Sequence, residues 1–244
     1  MKKCISVVVP VYNSQNTLEE LASRIINAIN AMDINIELIF VDDCSKDESF
    51  SIMMRIYDSF PKTKIIRLQS NYGQQNALLC GIRHAQGDYI ITMDDDLQHP
   101  PEEIPKLMNK IMEGFDVVYG IPKEKMHRKY RNFGSMLTDR LFNIICRKPS
   151  GARVSSFRVM TSDIAKKVQK CSKSFVYISA ITLEHTKNIG NVTVMHNRRA
   201  ISRSNYNFIK LFKLFIKLAL YYSCAGNMKL LNRKPQYIIS DVKP

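Results

Sequence analysis

The chain has 244 residues, of which 45% are apolar and 24% are charged, and its formal net charge is +14. This length and composition are typical of a globular protein with a sizeable core and exclude a wholly disordered chain. The charge is uneven, because residues 1–120 hold 11 Lys/Arg against 17 Asp/Glu and residues 121–244 hold 25 against 5. The basic half therefore predicts an anionic partner such as phosphate, lipid head groups or nucleic acid.

The six cysteines are scattered without a CxxC pair. This spacing argues against a zinc site or a disulfide framework and predicts reduced thiols in a cytoplasmic protein. The apolar run near the start is too short for the core of a signal peptide. No stretch reaches the roughly 18 uncharged apolar residues that a spanning helix needs, so we expect a chain that does not cross a membrane by itself.

In the first half of the chain, short apolar runs alternate with amphipathic stretches. The runs are nearly continuous in apolar character, which is typical of strands covered on both faces. Their order predicts an α/β fold with a mainly parallel sheet flanked by helices. The predicted strands are 5–9, 36–41, 63–68, 88–93 and 116–120, and the predicted helices are 18–31, 48–57, 74–85 and 101–112.

The second half of the chain is less regular. Residues 131–146 and 161–171 have helical patterns, and residues 188–199 alternate like an exposed strand. Residues 206–222 predict an amphipathic helix, and residues 226–244 lack a pattern and predict a loose tail.

The predicted helix 206–222 carries Lys210, Lys213 and Lys217 at spacings of three and four, with apolar residues between them. This composition is typical of a helix that lies in an anionic membrane surface. Two alternatives are a core helix with a narrow polar stripe and a helix that pairs with a partner membrane protein.

Polar clusters follow three of the predicted strands: "PVYNS", "DDCSKDES" and "DDDLQ". Parallel sheets bind ligands beyond the carboxyl ends of their strands, so we expect the clusters to converge on one site. In an extended segment Asp94 and Asp96 point the same way while Asp95 points elsewhere. With the Gln98 amide they form an all-oxygen set suited to Mg²⁺ or Mn²⁺, with phosphates completing the shell. The alternative is a helix N-terminus that favours acidic residues.

The second cluster has two interpretations. Asp42 and Asp43 are candidates to hydrogen-bond a base or ribose in the crevice. Alternatively, Ser45 and Asp47 cap the helix that follows. Both interpretations can hold together, because they use different side chains.

Four segments carry a resemblance to a known family: "VVVPVYN", "FVDDCSKDES", "SNYGQQNALLCGIRHAQGDYIITMDDDLQHPPEEIPKL" and "HNRRAISRSNY". In order, they resemble the motifs of family 2 glycosyltransferases, in particular the polyprenyl-phosphate sugar transferases related to dolichol-phosphate mannosyltransferase and the bacterial undecaprenyl-phosphate enzymes. The resemblance extends roughly over residues 4–222. It implies a GT-A fold and a nucleotide-sugar donor held through a DXD motif and a divalent cation.

The resemblance also implies residue roles. For the donor it implies a nucleotide-cradling turn at Pro10 and Tyr12 and a base-binding carboxylate at Asp42. It implies that the third strand-to-helix motif consists of Gly73, Gln75, Ala77 and Gly81. The implied metal and diphosphate ligands are Asp94, Asp96 and Gln98. For the acceptor it implies that Phe157 and Arg158 belong to a segment near the acceptor. It implies that the phosphate-binding motif consists of Arg199, Ser204 and Tyr206.

The chain departs from the family pattern at five positions. Ser14 stands where a glutamate is usual, and Cys44 replaces a glycine. Ala152 replaces a common aspartate, Ser202 a glycine and Asn205 a frequent lysine. Most of these departures fall on the acceptor side, so the identity of the acceptor is less constrained than the donor site.

These features together predict an inverting, metal-dependent glycosyltransferase at the cytoplasmic membrane face. It would move a sugar from a nucleotide-sugar, with uridine the expected base, to a polyprenyl phosphate in cell-surface glycan synthesis. A lipid phosphate is already an oxyanion and needs no strong base, whereas arginines are needed to hold it. Arg199, Arg203 and the basic run 123–131 are the candidates, and a solvated basic face is the alternative.

Two other functions would each fit part of the sequence. If the acceptor is a sugar hydroxyl of a surface glycan, a carboxylate base is required, and Asp95 is the candidate. A nucleic-acid-binding protein would fit the basic half, but the chain has no recognised nucleic-acid-binding motif and three aspartates would repel DNA, so no nucleic-acid partner is predicted. The predicted organisation is a catalytic domain at 1–205, with a nucleotide-sugar half (1–120) and an acceptor half (121–205), then a helix at 206–225 and a tail at 226–244.

Overall fold

The computed structural model describes residues 2–32, 34–123, 148–197, 216–222 and 236–244. Strands and helices alternate through the first half, as the apolar runs predict. In chain order the elements are β1 (Cys4–Val11), α1 (Leu18–Asn30), β2 (Asn35–Asp42), α2 (Ser49–Ser59), β3 (Thr63–Leu68), α3 (Gln74–His84), β4 (Tyr89–Thr92), a 3₁₀ turn (Pro101–Glu103), α4 (Ile104–Ile111), β5 (Val117–Pro122), β6 (Arg158–Thr161), α5 (Ser162–Gln169), α6 (Ile178–His185), β7 (Ile189–Val194) and β8 (Ile239–Lys243).

The strands form one sheet in the order β7-β5-β6-β4-β1-β2-β3-β8. Strands β1, β2, β3 and β4 are parallel to their neighbours within this group, and β5 is parallel to β7. Strand β6 runs antiparallel between β4 and β5, and β8 runs antiparallel to β3. The mainly parallel sheet is therefore confirmed. Val11 pairs with Asp42, so β1 and β2 end together at one edge.

Helices cover both faces of the sheet, which explains the continuous apolar runs. In β1, Val7 and Val9 enter the core beneath α1, α2 and α4, while Val8 enters the core beneath α3, α5 and α6. Helix α3 lies very close to the sheet, because a Cβ on Gly81 would come within 2.3 Å of the Val8 Cγ1 atom. This close contact fixes the position of the α3 N-terminus at the carboxyl edge.

The predictions for the second half have mixed outcomes. The helical pattern of 161–171 forms α5, and the alternating pattern of 188–199 contains β7. The predicted helix 131–146 lies outside the described residues. Of the predicted helix 206–222, only residues 216–222 are described, and they are helical. Leu218 and Tyr222 are buried there, while Ile216 and Leu220 are exposed.

The prediction of a loose tail is wrong for the last residues, because Ile239–Lys243 forms strand β8 on the edge of β3. Side chains on the body of the protein anchor the approach to this strand. Arg83 donates to the Tyr237 hydroxyl at 2.9 Å, and the Gln236 amide donates to the carbonyl of Cys171 at 3.0 Å. The strand is short and partly exposed, so its sequence lacks the apolar run that marks the inner strands.

Candidate active site

A cavity of about 460 Å³ opens at the carboxyl edge of β1, β2 and β4. Its walls come from all three polar clusters, so their predicted convergence is confirmed. The loop before α3 adds further lining. The lining residues are Pro10, Val11, Tyr12, Asp43, Asn71, Gly73, Gln74, Asp94, Asp95, Asp96 and Gln98.

The charged side chains that line this cavity are all negative among the described residues. Four of its lining side chains are carboxylates, namely Asp43, Asp94, Asp95 and Asp96, and no described lining residue is Lys or Arg. Like charges this close disfavour one another, and burial strengthens the effect. Burial raises the pKa of Asp43, against the lowering effect of its backbone hydrogen bonds. A cation is the ligand that such a lining accommodates best.

Backbone strain is concentrated in the loops around the cavity. The non-glycine residues with positive φ in the described part of the chain are Asn13 (φ 54), Cys44 (φ 62) and Leu97 (φ 57), which follow β1, β2 and β4 respectively. Left-handed backbone is unfavourable for Cys and Leu and persists there only where surrounding contacts fix it, whereas Asn tolerates it more readily. Here Asn13 accepts the N–H of Lys46 at 2.8 Å, so the first two loops support each other.

Asp94 is oriented by two side chains from different parts of the chain. The Gln74 amide donates to Oδ1 at 2.5 Å, and the Ser156 hydroxyl donates to Oδ2 at 2.6 Å. Two residues further on, Asp96 Oδ1 accepts the N–H of Gln98 at 3.1 Å. Partners of this kind fix the rotamer of a carboxylate and leave lone pairs for a ligand.

Asp95 faces away from its neighbours and toward the loop after β1, as the alternation of side chains predicts. Its Oδ2 atom accepts the N–H of Tyr12 at 3.2 Å and the hydroxyl of Ser14. Burial raises the pKa of Asp95 to about 6, and the bonds from Ser14 and Tyr12 oppose this rise. The side chain is therefore held within the protein by donors from one loop.

The family model for glycosyl transferase family 2 matches residues 6–169, more than half of the chain. The chain belongs to this family. It is similar to undecaprenyl-phosphate 4-deoxy-4-formamido-L-arabinose transferases from Shewanella sediminis, with 32% identity over 220 residues, and from an Enterobacter species, with 34% identity over 216 residues. Each alignment covers 88% of this chain but only 65% and 66% of the respective relative, so the chain spans just under two thirds of their length.

A solved structure of similar fold is glucosyl-3-phosphoglycerate synthase from Mycobacterium tuberculosis, in complex with Mn²⁺, UDP and glucosyl-3-phosphoglycerate. The match has a TM-score of 0.66 at 18% identity and covers 90% of this chain and 80% of that chain. At this identity the likeness concerns the fold alone. The fold is GT-A, as the resemblance of the motifs implies.

The family motif predicts Asp42 as the base-binding carboxylate, but the structure places Asp43 at the cavity instead. Asp42 is fully buried and accepts the N–H of Ser45 at 2.9 Å. Its Oδ2 atom lies 3.2 Å from the Nε atom of Arg67. Asp43 lines the cavity and accepts the N–H groups of Tyr72 and Gly73 at 2.7 and 2.8 Å. The alternating directions of side chains at a strand end separate the two aspartates.

A similar shift by one residue occurs at the start of α3. Gln75, predicted from the family motif, points into the fold, where its Oε1 atom accepts the N–H of Ile178 at 2.9 Å. Gln74 lines the cavity and contacts Asp94. Three further residues at the site were not predicted from the sequence, namely Gln74, Asn71 and Ser156. The position of Gln74 directly after Gly73, at the start of the predicted helix 74–85, was the available signal for the first of these.

Arg158, predicted to lie near the acceptor, is only 1% exposed. Its Nε donates to the Thr92 hydroxyl at 3.1 Å and its Nη1 to the Ser179 hydroxyl at 2.9 Å. Thr92 in turn donates to the carbonyl of Ser156 at 2.7 Å. The guanidinium therefore supports the segment that carries Ser156 and does not face the cavity.

The predicted acceptor residues Arg199, Arg203, Ser204 and Tyr206 lie outside the described residues. The segment that leads to them does contact the aspartate loop. Asn197 donates its N–H to the carbonyl of Gln98 at 2.9 Å, and the rings of His196 and His99 pack edge to face at 5.0 Å. The chain that enters the predicted acceptor motif therefore begins beside the aspartates.

Proposed function

We propose that this chain transfers a sugar from a nucleotide-sugar, with UDP as the expected carrier, to a polyprenyl phosphate in cell-surface glycan synthesis. The observation that carries this proposal is a cavity whose described lining contains four carboxylates and neither Lys nor Arg. A nucleoside diphosphate enters such a cavity favourably only together with a divalent cation. The names of the relatives, which are undecaprenyl-phosphate sugar transferases, support the lipid acceptor.

Asp94, Asp96 and the Gln98 amide are the proposed ligands of Mg²⁺ or Mn²⁺, because hard cations prefer oxygen atoms. Among the described residues, no group of three or more His, Cys, Asp or Glu side chains is arranged to hold a metal ion. The remaining ligands would therefore be diphosphate oxygens and water, as is common for Mg²⁺. When bound, the cation stabilises the negative charge that develops on the leaving nucleoside diphosphate.

The nucleoside end of the donor would lie between the first two loops. Tyr12 is 44% exposed in the cavity wall, which leaves its ring available to contact a base. Asp43 offers acceptor lone pairs beyond those used by Tyr72 and Gly73. The chain itself thus orients the donor at both ends, with Tyr12 and Asp43 at the base and the aspartate loop at the diphosphate.

A phosphate acceptor suits this site better than a sugar hydroxyl, because a hydroxyl requires a general base and a phosphate oxyanion does not. All four cavity carboxylates already accept hydrogen bonds from donors of the protein, and for Asp96 the donor is the N–H of Gln98. Asp43 is held by backbone N–H groups, Asp94 by Gln74 and Ser156, and Asp95 by Tyr12 and Ser14. The glycan hydroxyl remains the runner-up acceptor, and Arg199 and Arg203 remain the predicted groups that hold the acceptor phosphate.

We further propose peripheral association with the cytoplasmic face of the membrane. In the part of the chain that the structure describes, no helix is long and apolar enough to span a bilayer. In residues 216–222, the exposed Ile216 and Leu220 lie four residues apart, which suits contact with a lipid surface. Replacing Lys210, Lys213 and Lys217 by Glu should release the protein from anionic vesicles, and unchanged cosedimentation would contradict the role of this helix.

The test is an assay of nucleoside diphosphate release from a panel of UDP- and GDP-sugars with Mg²⁺ or Mn²⁺, with and without undecaprenyl phosphate. We expect lipid-dependent release from a UDP-sugar, with the sugar recovered in the organic phase. Asp96→Asn serves as the inactive control. Release that is independent of the lipid, together with transfer to a glycan hydroxyl, would establish the runner-up instead.

A further inference from the structure

The loop after β1 and the aspartate loop after β4 are joined by a compact set of hydrogen bonds. Asp95 Oδ2 accepts both the N–H of Tyr12 and the hydroxyl of Ser14. In the reverse direction, the Thr17 hydroxyl donates to the backbone carbonyl of Asp95 at 2.6 Å. Thr17 also donates its N–H to the carbonyl of Ser14 at 3.0 Å, which closes the turn. The side chain between the two predicted metal ligands is therefore bonded to the neighbouring loop.

We propose that Asp95 and Ser14 are positioning residues, and that their contact sets the distance between the metal-binding aspartates and the Tyr12 wall of the donor site. This inference rests on the proposed function, because it concerns how the same site fits a nucleoside diphosphate. We call the pair the Asp95–Ser14 clasp. It assigns Asp95 a role different from the general base that a sugar-hydroxyl acceptor would need.

The physical reason for the clasp lies in its place between the two ends of the donor. Tyr12, Asp94 and Asp96 all line the cavity. The proposed function has the nucleoside beside Tyr12 and the diphosphate beside the two aspartates. A donor that bridges both sides binds well only if their separation is fixed before it arrives. Hydrogen bonds to an ionised carboxylate are among the stronger ones in proteins, so the two that Asp95 accepts help to hold the loops together.

The clasp contains a single carboxylate, which makes an exchange test possible. Ser14 is the neutral partner of this contact and donates its hydroxyl to Asp95. The variant Ser14→Asp with Asp95→Ser moves the carboxylate to the opposite loop and keeps the same two side-chain types in contact. If the contact between the loops matters and the position of the carboxylate does not, this double variant should recover the affinity for UDP that each single variant loses.

The experiment measures the KM and kcat of the donor with Mn²⁺ and, by calorimetry, the Kd of UDP with Mn²⁺. Each single variant, Ser14→Asp or Asp95→Ser, should weaken UDP binding about tenfold or more, since a charged hydrogen bond is lost or two carboxylates meet. The double variant should bind UDP within about threefold of the original chain. Ser14→Ala, which adds no charge, should weaken binding less than Ser14→Asp and provides a milder variant if the latter fails to fold.

Ser51→Asp is the matched control, because Ser51 is exposed on α2 and receives the same change of charge. It should leave KM, kcat and the UDP Kd unchanged. The clasp is contradicted if the double variant is as weak as the worse single variant, or if Asp95→Ser lowers kcat alone with UDP binding intact. A chain that binds UDP with Mn²⁺ but transfers no sugar to undecaprenyl phosphate would contradict the proposed function, while the UDP Kd would still decide on the clasp.

Discussion

Carboxylates lie at both ends of the central sheet, but the groups that surround them differ between the two ends. At the amino end, Glu37 lies 2.7 Å from the Lys64 ammonium and accepts the Ser6 hydroxyl and the N–H of Gln86. Asp88, also at that end, accepts the N–H of Cys4 at 2.8 Å. At the carboxyl end, four carboxylates line one cavity whose described walls contain neither Lys nor Arg.

This difference separates structural charge from functional charge. A carboxylate with a cation from its own chain contributes to folding, and its loss leaves a partner without its bond. A group of carboxylates without basic neighbours in the cavity wall costs stability unless a ligand offsets its charge. Mutations at the two ends should therefore affect different measured quantities.

The largest effect is expected at the carboxyl end. Asp94→Asn and Asp96→Asn should each lower metal-dependent turnover by about 100-fold or more, because the charge that develops on the leaving diphosphate is no longer stabilised. The melting temperature should stay the same or rise, since repulsion between carboxylates is relieved. Nucleoside diphosphate release and calorimetric unfolding check these two results, and normal turnover in either variant would remove that residue from the proposed ligands.

The opposite outcome is expected at the amino end. Glu37→Gln removes the charged partner of Lys64. Loss of this partly buried pair should lower the free energy of unfolding by about 1–2 kcal/mol. Because Glu37 is remote from the cavity, kcat and KM should not change. Denaturant unfolding measures the loss. If this variant loses activity with its stability intact, the separation between the two ends is incorrect.

A smaller effect should follow from the support of Asp94. Ser156→Ala removes the donor to Oδ2 and should weaken Mn²⁺ binding in the presence of UDP by about tenfold. Ser155→Ala is the matched control, because that hydroxyl accepts the N–H of Phe157. Equal metal affinities in the two variants would show that Ser156 does not orient the aspartate.

The smallest effect concerns strain at the carboxyl end. Cys44→Gly should raise the free energy of unfolding by up to about 1 kcal/mol, because glycine adopts the positive φ of this position without steric cost. Cys44→Ala removes the thiol but keeps the strain, so it should not stabilise the protein. A similar gain in both variants would assign the effect to the sulfur atom and not to the backbone.

Much of the fold was predictable from the sequence, because the patterns that indicate strands and helices lie within short stretches of the chain. Continuous apolar runs and amphipathic stretches identified the first five strands and four helices, and the polar clusters that follow the strands identified the edge at which the cavity opens. Strand β8 was not predictable, since Ile239–Lys243 is short and gains its structure only from pairing with β3. Its stability comes from contacts distant in sequence, which periodicity does not report.

The site residues show the same limit at finer scale. The three aspartates were found because a cluster of like charges after an apolar run is unusual. The choices between Asp42 and Asp43 and between Gln74 and Gln75 were not predictable, because neighbouring side chains diverge where a strand ends or a helix begins. Ser156 reaches Asp94 from 62 residues away, through the antiparallel pairing of β4 with β6.

The most direct test of the central claim is a calorimetric titration of Mn²⁺ and UDP, together and separately, on the original chain and on Asp96→Asn. We expect UDP to bind tightly only with Mn²⁺, and Mn²⁺ alone to bind weakly because the described protein ligands are few. Asp96→Asn should abolish this coupling between Mn²⁺ and UDP. UDP binding of equal strength with EDTA in place of Mn²⁺ would contradict the claim that these aspartates act through a cation.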